Sequence, residues 1–229
     1  MKYLFLLSVL GLAKGEYIRR EGVLNPFDGI SDVGYNGAPA FVDVDNDGDM
    51  DLVIGRYDGD LKHYYENTGS PINPSYTRRK GALNPFDGVA DVGELSAPAF
   101  VDVDDDGDMD LVIGRLEGDL KFYYENTGSA SNPSYTRREG VLNPFDGVAD
   151  VGSSSAPAFV DADNDGDMDL VIGRGEGDLK HYYENTGNAT HAKYTRREGA
   201  LNPFDGSPMW EPEVPPRLWM WTMMGTWIL

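Results

Sequence analysis

Asp43, Asp45, Asp47, Asp49 and Asp51 stand at alternate positions of one nine-residue stretch, interleaved with Val44, Asn46, Gly48 and Met50. The pattern returns 59 residues later as Asp102, Asp104, Asp106, Asp108 and Asp110, and again as Asp161, Asp163, Asp165, Asp167 and Asp169. Clustered carboxylates closed by a glycine are the donor set of a hard cation. Calcium takes six to eight oxygen ligands at about 2.3–2.6 Å in a forgiving geometry, whereas magnesium demands a smaller octahedral shell. Asp43, Asp45 and Asp47 are expected to turn their carboxylates inward, and Gly48 to permit the sharp bend. Asp49 is expected to offer its backbone carbonyl and Asp51 to close the cage. The expectation is one Ca2+ per loop, about three ions in all, bound at roughly 10⁻⁴–10⁻³ M as in extracellular modules. An EF-hand is excluded: its twelfth position requires Glu, and here that position is Ile54, followed by Gly55.

The bulk composition fits this reading. The 229 residues carry 39 acidic and 19 basic side chains, a net charge of −20. That balance argues against a nucleic-acid partner, since a phosphate backbone attracts Lys and Arg. The three loops hold 16 of the 39 acids, and three divalent ions would bring the formal charge from −20 to −14. There is no cysteine. Residues 1–15, with one early Lys, an apolar run and small residues near the end, read as a signal peptide cleaved around Ala13-Lys14-Gly15. A secreted protein without disulfides can use bound cations as its cross-links.

The elements that must hold these loops repeat with them. Residues 16–206 form a repeat region in which Asn-Pro-Phe-Asp-Gly begins at Asn25, Asn84, Asn143 and Asn202, and Ala-Pro-Ala-Phe at Ala38, Ala97 and Ala156. Within a unit, Ala38 to Val42 is a short apolar stretch, and Leu52-Val53-Ile54 is a continuous apolar run suited to a strand covered on both faces. Asp58-Gly59 has the composition of a two-residue hairpin turn. Leu61 to Glu66 alternates, and a last strand is expected over Ser75 to Arg79. No helical period is sustained. Four short strands per 59 residues predict an all-β fold of β-propeller-type blades at about 38–79, 97–138 and 156–197. An N-terminal strand at 17–20 copies the last strand of a unit. Three units make an incomplete propeller.

Residues 207–229 leave the pattern. All four Trp lie there, and the apolar part from Leu218 to Leu229 is too short for a membrane span, which needs about 20 residues. Reading the codons of the expected next repeat one base late turns Val-Asp into Trp and Asp-Val into Met. The result is the segment from Pro215 to Leu229, 59 residues after Ala156. The tail therefore reads as a fourth repeat in the wrong frame.

The stretch from Ala38 through Asp43, Asp45, Asp47, Asp49 and Asp51 to Gly55, with Tyr64-Tyr65-Glu66-Asn67-Thr68-Gly69, resembles the FG-GAP/VCBS repeats found in the propeller of integrin α subunits. The resemblance implies calcium at these aspartates and their copies, and an extracellular, usually seven-bladed propeller. Three units depart from that number.

Asn188-Ala189-Thr190 is a glycosylation sequon, whereas proline blocks Asn73-Pro74-Ser75 and Asn132-Pro133-Ser134. The paired arginines at 78–79 are expected to answer nearby acids. The Tyr64-Tyr65 pair is expected to pack between blades. His63, His181 and His191 make no catalytic set, because the position of His63 is Phe122 in the second copy. No catalytic residue and no enzyme activity are expected. The expected function is a secreted calcium-binding adhesion or glycan/protein-binding module, with 35–37, 94–96 and 153–155 as ligand loops. The alternative is an extracellular fibre or coat built by self-association through exposed blade edges, and a polysaccharide-active enzyme is the less favoured third reading.

Overall fold

The computed structural model describes residues 18–177, 180–188 and 190–205. The fold is all-β. Strands β1 (Ala38–Val42), β2 (Asp51–Gly55), β3 (His63–Asn67) and β4 (Tyr76–Arg79) form the first sheet. Strands β5 (Ala97–Val101), β6 (Asp110–Gly114), β7 (Phe122–Asn126) and β8 (Tyr135–Arg138) form the second. Strands β9 (Ala156–Val160), β10 (Asp169–Gly173), β11 (His181–Asn185) and β12 (Tyr194–Arg197) form the third. Each sheet runs in chain order and is antiparallel throughout. The first strands β1, β5 and β9 lie side by side, a propeller-like arrangement that does not close into a ring among the described residues. The expected signal peptide and the tail at 207–229 lie outside those residues.

Burial on both faces explains the composition of the second strand. All five residues of β2 and of β6 are buried. Leu111, Val112 and Ile113 are wholly inaccessible. In β6 one face meets the first blade, through Leu111 and Ile113, and the other the third, through Val112, so the middle of the strand is apolar throughout.

The joint between blades is built around one phenylalanine of each Asn-Pro-Phe-Asp-Gly segment. Asn84 Oδ1 accepts the Phe86 amide at 3.0 Å and turns the chain inward. Phe86 then meets Tyr64 of the first blade edge-on and stacks on Tyr135 of the second. Phe145 repeats this between Tyr123 and Tyr194. Glycine lets the backbones close up. A Cβ on Gly55 would lie 2.1 Å from the Ser96 carbonyl oxygen, and one on Gly114 2.1 Å from that of Ser155. The Tyr pair packs at these joints: Tyr64 reaches Phe86, and Tyr124 accepts the Ala90 amide.

Two local expectations are corrected. Asp58-Gly59 does not close a two-residue hairpin, because β2 ends at Gly55 and β3 begins at His63. The Gly59 amide instead closes a tight turn onto the Arg56 carbonyl, and the Gly59 carbonyl accepts the Val92 amide of the next linker. The turn is committed to the joint, and Leu61 drops into the core behind it. Residues 18–20 form no strand. Their copies at β4 are ordered by pairing with β3, and no strand lies beside 18–20 among the described residues.

Candidate metal corners

Each aspartate-rich stretch is the turn from the first to the second strand of its blade. Asp43 winds it: Oδ1 accepts the Asp47 amide at 3.1 Å and Oδ2 the Gly48 amide at 2.9 Å. Asp47 Oδ1 accepts the Asp49 amide at 3.0 Å. Two residues take left-handed backbone, Asn46 at φ 56° and Gly48 at φ 93°. Asp105 and Asn164 hold the position of Asn46 at φ 57° and 61°. Asn and Asp tolerate that conformation where bulkier residues do not. Asp105 is thus a backbone choice, a role the sequence count of acids did not distinguish.

The winding brings carboxylates together. One oxygen each of Asp43, Asp45 and Asp47 lies within 4.8 Å of the others, as do those of Asp102, Asp104 and Asp106 and of Asp161, Asp163 and Asp165. Asp49, Asp108 and Asp167 are not in these clusters, nor are Asp51, Asp110 and Asp169. The seventh position sits beside the cluster and shares its electrostatics. Burial, then the neighbouring Asp47 and Asp43, raise the Asp49 carboxyl above the ordinary range. Burial and Asp106 push Asp108 up to about 6. Burial first, and the adjacent carboxylates second, also raise Asp45, Asp104, Asp163 and Asp167.

Asp51 has a different task. Its Oδ2 accepts the Tyr64 hydroxyl at 2.9 Å and the Val44 amide at 3.2 Å, and its Oδ1 accepts the Asn67 amide at 2.6 Å. Asp110 and Asp169 repeat these bonds with Tyr123 and Asn126, and with Tyr182 and Asn185. Asn67 Oδ1 in turn accepts the Gly69 and Ser75 amides. The carboxylate thereby ties the loop to the second, third and fourth strands. Burial still pushes Asp51 up to about 6 and Asp110 to about 7, against the donors that lower them. In the sequence Tyr64 and Asn67 stand only within a repeated run, and no local signal marks their bonds to this corner.

The corners fit a hard cation. The donors are all oxygen, and oxygens Oδ1 of Asp45, Asp49 and Asp108 are buried without a hydrogen-bond partner. A buried carboxylate oxygen left unpaired is costly, and a bound cation supplies the missing partner. Asp43, Asp45 and Asp47 would hold it, with Asp49 beside them.

Of the arginines at 78–79, Arg79 answers an acid, whereas Arg78 faces the Lys62 carbonyl and the His63 ring. Arg79 makes two bonds to Glu66 at 2.7 and 2.8 Å, and Arg138 and Arg197 copy this on Glu125 and Glu184. The expected ligand loops are partly corrected: Ser96 and Ser155 are buried and bond the preceding blade at the amides of Arg56 and Arg115. Their first residues stay open, with Tyr35 85% exposed. Asn188 is exposed, and its Oδ1 accepts the Thr190 amide and hydroxyl. No helix among the described residues is long and apolar enough to cross a membrane.

No curated protein sequence matches the chain. A family model described as an FG-GAP-like repeat matches residues 102–172, from the second corner to the third blade's second strand. Over residues 102–172 the chain is similar to an FG-GAP-like repeat, the family to which the resemblance of its corners and strands pointed.

Proposed function

We propose that the chain is a secreted calcium-binding repeat protein acting as an adhesion or glycan/protein-binding module. The observation that carries this reading is the threefold carboxylate cluster, with buried, unpartnered carboxylate oxygens at its first two copies. Calcium fills each corner and fixes the turn between the first two strands. The opposite end of each blade is then free to meet a ligand. There the copies differ at exposed or partly exposed positions: Tyr35, Glu94 and Ser153, and Tyr57, Leu116 and Gly175. Aromatic and acidic side chains at that end suit a polar extracellular ligand such as a glycan. None of these positions supplies an acid–base pair, which supports binding over catalysis. The exposed sequon at Asn188 is glycosylated in this reading and lies on the metal end, away from the variable surface.

Titration calorimetry with calcium and magnesium tests the first half. About three sites with preference for calcium are expected, and no heat at millimolar calcium overturns the metal reading. A glycan array with and without chelator tests the second half. Binding that is lost with chelator and weakened by Tyr35→Ala is expected, and no binding in either state overturns the adhesion reading.

A further inference from the structure

The two joints inside the chain define a repeating interface, and both of its halves are also present at the two ends of the described residues. At an internal joint, the forward side of one blade meets the rear side of the next. The joint between blades one and two buries Val42, Val53 and Tyr64 against Phe86, Leu111 and Ile113. The joint between blades two and three buries the copies of all six. Blade one still presents a rear side. Phe27 is 40% exposed, whereas its copies Phe86 and Phe145 are each 1% exposed. Phe41 is 47% exposed, and Pro39 is exposed where Pro98 and Pro157 are buried. With Ile30, Leu52 and Ile54, these line an apolar groove of about 410 Å³.

Blade three still presents a forward side. Val160 is 40% exposed, whereas Val42 and Val101 are each 4% exposed. Gly173 is the sharper sign. Gly55 and Gly114 must be glycine because a carbonyl of the next blade comes to 2.1 Å of where a Cβ would stand. Gly173 has no atom nearer than 3.7 Å and no left-handed backbone, so nothing within the described chain requires it. It keeps the close-approach position of a joint whose other half is the rear side of blade one.

We propose that a second copy of this chain docks head to tail, the rear side of its blade one on the forward side of blade three. The interface is heterologous, continues the internal joints and uses faces that match because they are copies of paired faces. Two copies of the three described blades, joined at both ends, make six, within the roughly four to eight that close a propeller. Docking exchanges Phe204, which meets Tyr182 edge-on, for the incoming Phe27, the same side chain in the same sequence frame. Blade edges are the poorer route to assembly. The outer strands β4, β8 and β12 carry the arginines of the Glu66, Glu125 and Glu184 pairs, and charge on an edge blocks strand addition.

Sedimentation velocity and native mass spectrometry of the full chain in millimolar calcium test this. Wild type is expected at twice the monomer mass. Gly173→Ala blocks the forward side without touching the fold, and Phe41→Glu blocks the rear side; each is expected to weaken association by about tenfold or more. An equimolar mixture of the two variants keeps one intact face of each kind and is expected to recover dimer. A monomeric wild type at the highest soluble concentration overturns the proposal, because the faces are then covered by the chain itself or left bare. It is also overturned if both variants associate as wild type does, or if their mixture remains monomeric.

Discussion

The Tyr64 hydroxyl donates to Asp51 Oδ2 across 2.9 Å, joining the end of an aspartate-rich turn to the third strand of the same blade. Tyr123 and Asp110 do the same at 2.8 Å, as do Tyr182 and Asp169. The bond couples the corner to the joint, because the Tyr64 ring also packs edge-on against Phe86 between blades. Removing only the hydroxyl isolates the polar half of this contact. Tyr64→Phe is expected to cost about 1.5–3 kcal/mol, the range for a hydrogen bond to a charged group. Urea unfolding reads this as a lower midpoint at unchanged slope. An unchanged midpoint would show that the Asn67 and Val44 amides hold Asp51 unaided.

Asp45 and Asp51 belong to the same motif and are expected to separate experimentally. Asp45→Asn alters the cluster and leaves the sheet bonds intact, so its effect is confined to calcium. Each filled corner adds about 2.7 kcal/mol at about 100 times the dissociation constant, and the variant loses one such increment. Asp51→Asn removes acceptor capacity beneath three donors and lowers stability with calcium or with chelator. Thermal melts in both media distinguish the two, and identical profiles would mean that both residues serve one role.

Burial pushes Asp51 from its ordinary 3.8 up to about 6, Asp108 to about 6 and Asp110 to about 7. Each binds its proton more tightly folded than unfolded, so protonation favours the folded chain. That contribution is complete below about pH 4 and is lost as pH rises through about 6 to 7. In chelator the melting temperature is therefore expected to fall from about pH 4.5 to pH 8. The arginine-paired Glu125, Glu184 and Asp119 are held below their ordinary range, so their stabilising share is lost only at more acid pH. Calcium competes with protons, so its stabilisation grows over the same interval. A chelated melting temperature that rises toward pH 8 would contradict this account.

Phe86 and Phe27 occupy the same place in the repeat and differ in what covers them. Phe86→Ala opens a void at a closed joint and is expected to cost about 3–5 kcal/mol. Phe27→Ala removes a ring that is 40% exposed and is expected to cost well under half of that in the monomer. Unfolding at a concentration where the chain is monomeric checks the difference, and equal losses would mean that the two positions are equally packed.

Gly55→Ala sets a Cβ against the Ser96 backbone, which has no flexible end to yield. Overpacking of this kind costs about 1–3 kcal/mol or more. Gly173→Ala meets nothing nearer than 3.7 Å and is expected to stay within about 0.5 kcal/mol of wild type. Parallel urea titrations of the monomers compare them, and comparable losses would place a hidden contact at Gly173.

The sequence alone determined the strands and the corners, because both depend on neighbours along the chain. A turn wound by Asp43 onto the Asp47 and Gly48 amides needs only the six residues 43–48. A run such as Leu52-Val53-Ile54 is readable as a doubly covered strand without knowing what covers it. The 59-residue period then multiplied one local reading into three blades. Tertiary structure decided what the period could not. Asp51 reads as one more carboxylate until the third strand brings Tyr64 and Asn67 beside it, thirteen and sixteen residues away. Asp58-Gly59 reads as a hairpin until the next linker claims the Gly59 carbonyl. Identical phenylalanines at 27 and 86 diverge from 40% to 1% exposure only because a blade precedes one and not the other in the described fold. A hydrogen bond or a packed ring is fixed by whatever lies across the sheet or the joint, and that neighbour is chosen by the whole fold.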